Sequence, residues 1–194
     1  MSEPSSQPAT TPQVEGVPAG GGAEISPCGA YRWQLRRSWD PSRPALLFIG
    51  LNPSRADGRR DDPTLRRLLG FARRWGHGSL TVVNLFARIS PSPAALRRCA
   101  DPIGAANDDW IIRSLNEALE APSPASLWLG WGNGGRWRGR DQQVLELLQA
   151  VGGADQLRAL GLTASGQPRH PLYAPGVGAL QPLVLAQSRQ PAAF

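Results

Sequence analysis

Leu46-Leu47-Phe48-Ile49-Gly50-Leu51-Asn52-Pro53-Ser54-Arg55-Ala56-Asp57 is the stretch on which the reading of the whole chain turns. Leu46 to Gly50 is an unbroken apolar or small run. A strand covered on both faces needs no alternation of apolar and polar residues. The run stops at Asn52-Pro53-Ser54, because proline cannot continue a ladder and Asn and Ser favour loops. A polar loop at the carboxyl end of a buried strand is where open α/β sheets bind ligands. Asn52 is therefore expected in a site, with Pro53 and Ser54 beside it.

Toward the N-terminus, Asp40-Pro41-Ser42-Arg43-Pro44 reads as a turn. Before it, Tyr31, Trp33 and Leu35 alternate with Arg32, Gln34 and Arg36. The alternation predicts a half-buried strand, joined to the Leu46 strand as a hairpin and lying at the sheet edge. Residues 1–26 carry almost no large apolar side chain and are expected to form a disordered tail.

Toward the C-terminus, Asp62 and Pro63 open a helix whose apolar stripe is Leu65, Leu68, Leu69, Ala72 and Trp75, with Gly76 as its stop. Leu80 to Val83 is a second buried strand ending at Asn84. Ser92-Pro93 starts a short helix, and Asn107 is expected to cap a longer one that carries Trp110, Ile111, Ser114, Leu115 and Ala118 inward. Ser126 to Leu129 is a third strand, running into Gly130-Trp131-Gly132-Asn133-Gly134-Gly135. Asp141 is expected to cap another helix, and Leu157 to Leu160 is a fourth strand. Strands alternating with helices predict a three-layer α/β sandwich with a four-stranded parallel sheet plus an N-terminal edge strand. The domain is placed at residues 27–174 and a C-terminal extension at 175–194, with a short element near Leu180 to Ala186.

Composition narrows the function. The net charge is +6 and the pI about 10.8, and the 21 basic residues are all arginine. The charge fits an anionic partner, nucleic acid or nucleotide, and fits equally a solvated arginine surface that reflects G+C-rich coding. Cys28 and Cys99 lack metal-ligand spacing, no metal or other cofactor is implied, and two free thiols fit a reducing, cytoplasmic setting. No apolar run reaches the ~18 residues that span a bilayer, and no secretory signal opens the chain. The sequence has no nucleophile elbow, paired-histidine motif or phosphate-binding P-loop.

With co-directional strands, one edge collects Asn52, Asn84 and His170. An Asn carboxamide offers an acceptor and two donors in a plane, suited to the edge of a nucleobase. Two Asn residues at matching strand ends favour that role over simple turn closure. An imidazole can stabilise a developing oxyanion. His77, beside Gly76, reads as a surface histidine. Arg55, Arg59, Arg60, Arg136, Arg138 and Arg140 are candidates to ring this edge and hold phosphates, and Trp131 and Trp137 to supply stacking faces. Asn133 and Arg169 complete the expected set.

These residues resemble two groups of proteins. The motifs Leu51-Asn52-Pro53-Ser54, Asp61-Asp62-Pro63-Thr64, Val83-Asn84-Leu85-Phe86, Asp101-Pro102-Ile103-Gly104, Trp131-Gly132-Asn133 and Gln167-Pro168-Arg169-His170-Pro171-Leu172-Tyr173 resemble a bacterial family known only as a domain of unknown function. More distantly, Gly50-Leu51-Asn52-Pro53, Asn84, Trp131-Gly132 and His170-Pro171 are similar to the motifs of the uracil-DNA glycosylase superfamily. That likeness implies a glycosylase-like α/β sandwich. It implies Asn52 positioning a water, Asn84 reading the base and His170 stabilising the departing base. Leu172 stands where that superfamily has serine, and its base-stacking aromatic has no counterpart shortly after Asn52. The functions in view are hydrolysis of an N-glycosidic bond in nucleic acid or a nucleotide, or nucleic-acid binding without chemistry.

Overall fold

The structure is a computed structural model that describes residues 21–54, 56, 61–123 and 125–183. Its centre is strand β3, Ala45–Gly50. Leu46 and Phe48 are buried against α1, Pro63–Arg74, while Leu47 and Ile49 are buried against α3, Asn107–Leu119, and α4, Arg140–Ala150. Successive side chains of a strand point to opposite faces. An uninterrupted apolar run is therefore what a strand between two helical layers requires.

Among the described residues the sheet is mixed and has seven strands, in the spatial order Gly21–Ile25 (β1), Arg32–Ser38 (β2), Ser79–Asn84 (β4), β3, Ser126–Leu129 (β5), Leu157–Ala159 (β6) and Gln181–Pro182 (β7). Parallel pairing joins β3 to β4, Ser79–Asn84, and to β5, Ser126–Leu129, and joins β5 to β6, Leu157–Ala159. The register sets Gly50 beside Asn84 at the carboxyl edge. Two expectations fail at the N-terminal side. Strand β2, Arg32–Ser38, does not form a hairpin with β3; it pairs antiparallel with β4. The Trp39–Pro44 loop instead steps over the start of β4, with the N–H groups of Trp39 and Asp40 both donating to the Gly78 carbonyl at 3.0 Å. Gly78 permits the crossing, since a Cβ there would lie 1.8 Å from the Asp40 carbonyl oxygen.

Nor is β2 the edge. Strand β1, Gly21–Ile25, pairs antiparallel with its outer side, inside the segment expected to be a tail; residues 1–20 lie outside the described residues. Its Gly-Gly-Ala sequence hides it, because its attachment is main-chain hydrogen bonding that needs no apolar side chain. At the far edge β7, Gln181–Pro182, pairs with β6 beyond the expected domain end at residue 174. Residues 184–194 lie outside the described residues.

Local capping explains α1. The Asp62 carboxylate accepts the Leu65 N–H at 2.8 Å, and Pro63 needs no partner at the first position. At the other end Gly76 takes φ +82°, its N–H donates to Arg73 and that of His77 to Ala72, the paired bonds of a Schellman turn. That turn folds His77 inward, so the expected surface histidine is buried, and its carbonyl accepts from Trp39 Nε1. Phe71 joins the stripe and packs with Phe48, Trp75 and Trp128 in an aromatic cluster under α1. Ser92 caps α2, Pro93–Arg97, as expected. Asn107 and Asp141 do not cap their helices; both are buried and bond across the fold.

Candidate functional site

From β3 the chain crosses through α1 to β4 on one side, and from β5 it crosses through α4 to β6 on the other. The loops leaving β3 and β5 therefore diverge and open a crevice at the strands' carboxyl ends, the usual ligand position in such sheets. A cleft of about 660 Å³ occupies that place, lined by Asn52 and Ser54 from the first loop and Trp131 to Gly134 from the second. Beneath it lies a chamber of about 50 Å³ that shares Asn52, Asp62 and His170 with the cleft and adds Asn84 and Arg32.

Asn52 is locked. Its Nδ2 donates to the carbonyls of Pro53 at 2.9 Å and Ser90 at 3.1 Å. Two carbonyl neighbours leave only one orientation of the carboxamide. Its Oδ1 has no protein donor among the described residues. Pro53 is buried and contributes this carbonyl rather than lining the cleft. Asn84 is 4 % exposed, and its Nδ2 has no protein partner among the described residues. Its Oδ1 lies against Gly50, where a Cβ would sit 2.8 Å away. Glycine at the end of β3 thus makes room for the Asn84 side chain.

His170 reaches the cleft from a loop tied on two sides. Gly132 N–H donates to the Pro168 carbonyl at 2.8 Å, and Arg67 of α1 donates to the carbonyls of Pro171 and Ala174 at 3.1 and 2.7 Å. A buried relay sets the same loop: Trp131 Nε1–H donates to Gln167 Oε1 at 2.7 Å, and Gln167 Nε2–H donates to Asp141 at 2.8 Å. His170 Nδ1 accepts the Leu172 N–H at 3.3 Å, so the neutral ring carries its proton on Nε2. Burial lowers its pKa from the ordinary value, opposed by the Asp62 carboxylate.

The cleft brings together Asn52, Ser54, Trp131, Asn133, Arg169 and His170, with Asn84 in the chamber below. Other expected contributors are elsewhere. Arg140 is 1 % exposed, bonded to the Leu85 carbonyl and the Asp108 carboxylate. Arg138 lies over the Trp137 ring, Trp137 packs on Phe86 in the core, and neither lines the cleft, nor does Arg136. Arg55, Arg59 and Arg60 fall outside the described residues. Trp131 is 2 % exposed and walls the cleft without a free face.

Sequence reasoning missed Asp62, Arg97 and Tyr173 as cleft residues. Asp62 looked fully explained as a helix cap. The polar, proline-rich run after Asn84 was the available signal for the wall that ends at Arg97, and Tyr173 adjoins the His170 motif. Among the described residues no group of His, Cys, Asp and Glu gathers as a metal site.

A family model described as "Protein of unknown function (DUF1643)" matches residues 32–172. The chain belongs to that family, as its ordered motifs indicated. No curated protein and no solved structure matches it. No helix among the described residues is long and apolar enough to cross a membrane.

Proposed function

We propose that this member of the DUF1643 family binds a nucleobase in the cleft and hydrolyses the N-glycosidic bond joining it to a sugar. The observation that carries the reading is the locked Asn52 carboxamide beside a neutral His170. With both Nδ2 hydrogens engaged, Asn52 offers a single acceptor of fixed direction. That acceptor holds one hydrogen of a water and leaves the water's lone pair for the sugar carbon. A carboxamide takes no proton, so the C1′–N bond breaks ahead of attack. The base departs with the bonding electrons, water adds to the sugar cation, and the surplus proton passes to solvent. His170 Nε2–H donates to the charge developing on the base.

The chamber accepts an exocyclic oxygen but no ring, so the base lies in the cleft and presents its edge to the unpartnered Asn84 Nδ2. Tyr173, 78 % exposed and 5.8 Å from the His170 ring, supplies an aromatic face at the mouth. The similarity of Gly50-Leu51-Asn52-Pro53, Asn84 and His170-Pro171 to uracil-DNA glycosylase motifs supports the same roles and a fold of that kind.

The test is release of free base, measured chromatographically. Substrates are oligonucleotides carrying uracil, hypoxanthine, xanthine or methylated bases, together with nucleosides and 5′-nucleotides. The expected result is release from at least one class, lost in Asn52→Ala and His170→Ala. Absence of release from every class would refute hydrolysis. The charge of +6 favours a second reading, nucleic-acid binding without chemistry, which predicts salt-dependent binding that survives both substitutions.

A further inference from the structure

The cleft's charges are arranged by depth. Arg32 lines the chamber alone, buried and already donating to the Ala56 carbonyl; Asp62 lines both the chamber and the cleft, and Arg97 and Arg169 line the cleft alone. Asp62 is already engaged as the cap of α1 and makes no ion pair among the described residues. Arg169 uses one nitrogen to donate to the Leu162 carbonyl at 3.1 Å, which orients its guanidinium. Arg97 is exposed at the end of α2 and has no hydrogen bond or ion pair among the described residues. Two guanidinium groups therefore stand without a carboxylate partner in a half-enclosed space, where their attraction for an anion exceeds that at an open surface.

Size points the same way. A cleft of about 660 Å³ is within the range of roughly 300–1,000 Å³ that holds ligands of nucleotide dimensions. A base alone leaves much of it empty.

We infer that Arg97 and Arg169 form a phosphate subsite in the outer cleft, so that the ligand is a nucleotide bound base-inward. The inference rests on the nucleobase reading and adds its polarity. The guanidinium groups, suited to bidentate phosphate contacts, hold the anion on the cleft's outer side, where Arg97 is exposed. The phosphate is either the monoester of a free nucleotide or the diester of a strand; both present the same oxygens to the arginines.

Calorimetric titration of the full chain with uridine and 5′-UMP, and with inosine and 5′-IMP, tests it. Inorganic phosphate and a trinucleotide of each base are further arms. The expected result is at least about tenfold tighter binding of nucleotide than nucleoside, as charge-assisted contacts provide. In Arg97→Gln/Arg169→Gln the ratio should fall toward one. An unchanged melting temperature of the double variant in the absence of ligand would show the fold intact. Tighter binding of the trinucleotide identifies the diester as the source, and weaker binding the monoester. Equal affinity for nucleoside and nucleotide, or a ratio that persists in the double variant, overturns the subsite while leaving base recognition standing. Inorganic phosphate binding that depends on the arginines, with no nucleoside binding, sustains the subsite and refutes the base reading. No binding of any ligand refutes both.

Discussion

Asn107 gives the sharpest test of the fold that presents the site. It is fully buried, and its Nδ2 donates to the carbonyls of Asn84 at 3.1 Å and Leu85 at 3.0 Å, clamping the end of β4. Asn107→Ala removes both donors. The Leu85 carbonyl keeps Arg140 Nε at 2.8 Å, so the main loss is the Asn84 carbonyl. A buried carbonyl left unsatisfied costs about 1–3 kcal/mol and a lost second bond about 1 kcal/mol. Relief of the unpartnered Asn107 Oδ1 offsets part of this. The expected destabilisation is about 3 kcal/mol, or ~6–12 °C in melting temperature for a domain of this size. A mere helix cap would cost about 1 kcal/mol.

Asn107→Asp separates the two readings by sign. An acid in the first turn of a helix is neutral or stabilising. Here the introduced carboxylate would face two carbonyl oxygens with no hydrogen to offer, and destabilisation should equal or exceed that of alanine at pH 7. The facing oxygens raise the introduced carboxyl's folded pKa above its unfolded value, so the penalty should shrink as pH falls toward 4. Urea unfolding of the three proteins provides the measurement. Loss of less than about 1 kcal/mol in Asn107→Ala, or wild-type stability in Asn107→Asp, would refute the clamp.

Three further outcomes are expected. Gly50→Ala places a Cβ 2.8 Å from Asn84 Oδ1 and 2.9 Å from Phe48 Cε1, so it should cost about 1–3 kcal/mol and weaken base binding; unaltered binding by calorimetry would contradict the Asn84 role. Gln167→Leu strands the Trp131 Nε1–H and the buried Asp141 carboxylate, a loss of about 2–4 kcal/mol by urea unfolding, and a change under 1 kcal/mol would remove the relay from the structural account. His77 and His170, the chain's two histidines, both have pKa values lowered by burial. The unfolded chain then binds more protons below the ordinary ~6.5, so stability is full above that value and declines as pH falls through the folded values. Unfolding free energies at pH 7.5 and 5.5 should differ in that direction and converge in His77→Gln/His170→Gln; greater stability at pH 5.5 would overturn it.

Much of the architecture was written locally. The Leu46 to Gly50 run, the Asp62-Pro63 start of α1 and its Gly76 stop each follow from side-chain chemistry within a few residues. The positions of Asn52 and His170 in one cleft followed from strands ending in polar loops. The same local signals misassigned Asn107 and Asp141. Both sit where a cap is expected, and nothing nearby in sequence reveals a carbonyl or amide waiting across the core. The arginines divided in the same way. Arg140 and Arg169 look alike as residues, yet one is buried and pairs with the half-exposed Asp108 while the other lines the cleft.

Sequence alone therefore determined the central strands and the helices between them, their order and the edge at which polar loops gather, because periodicity, caps and turns are short-range properties of the chain; the edge strands β1 and β7, held by main-chain pairing, carried no such signal. Tertiary structure decided which strands are neighbours, which asparagine is locked and which is left with an open donor, and where the unpaired positive charge lies. Those outcomes depend on groups tens of residues apart competing for the same few partners, as when Asn52 takes the carbonyl of Ser90 and Asn107 that of Asn84.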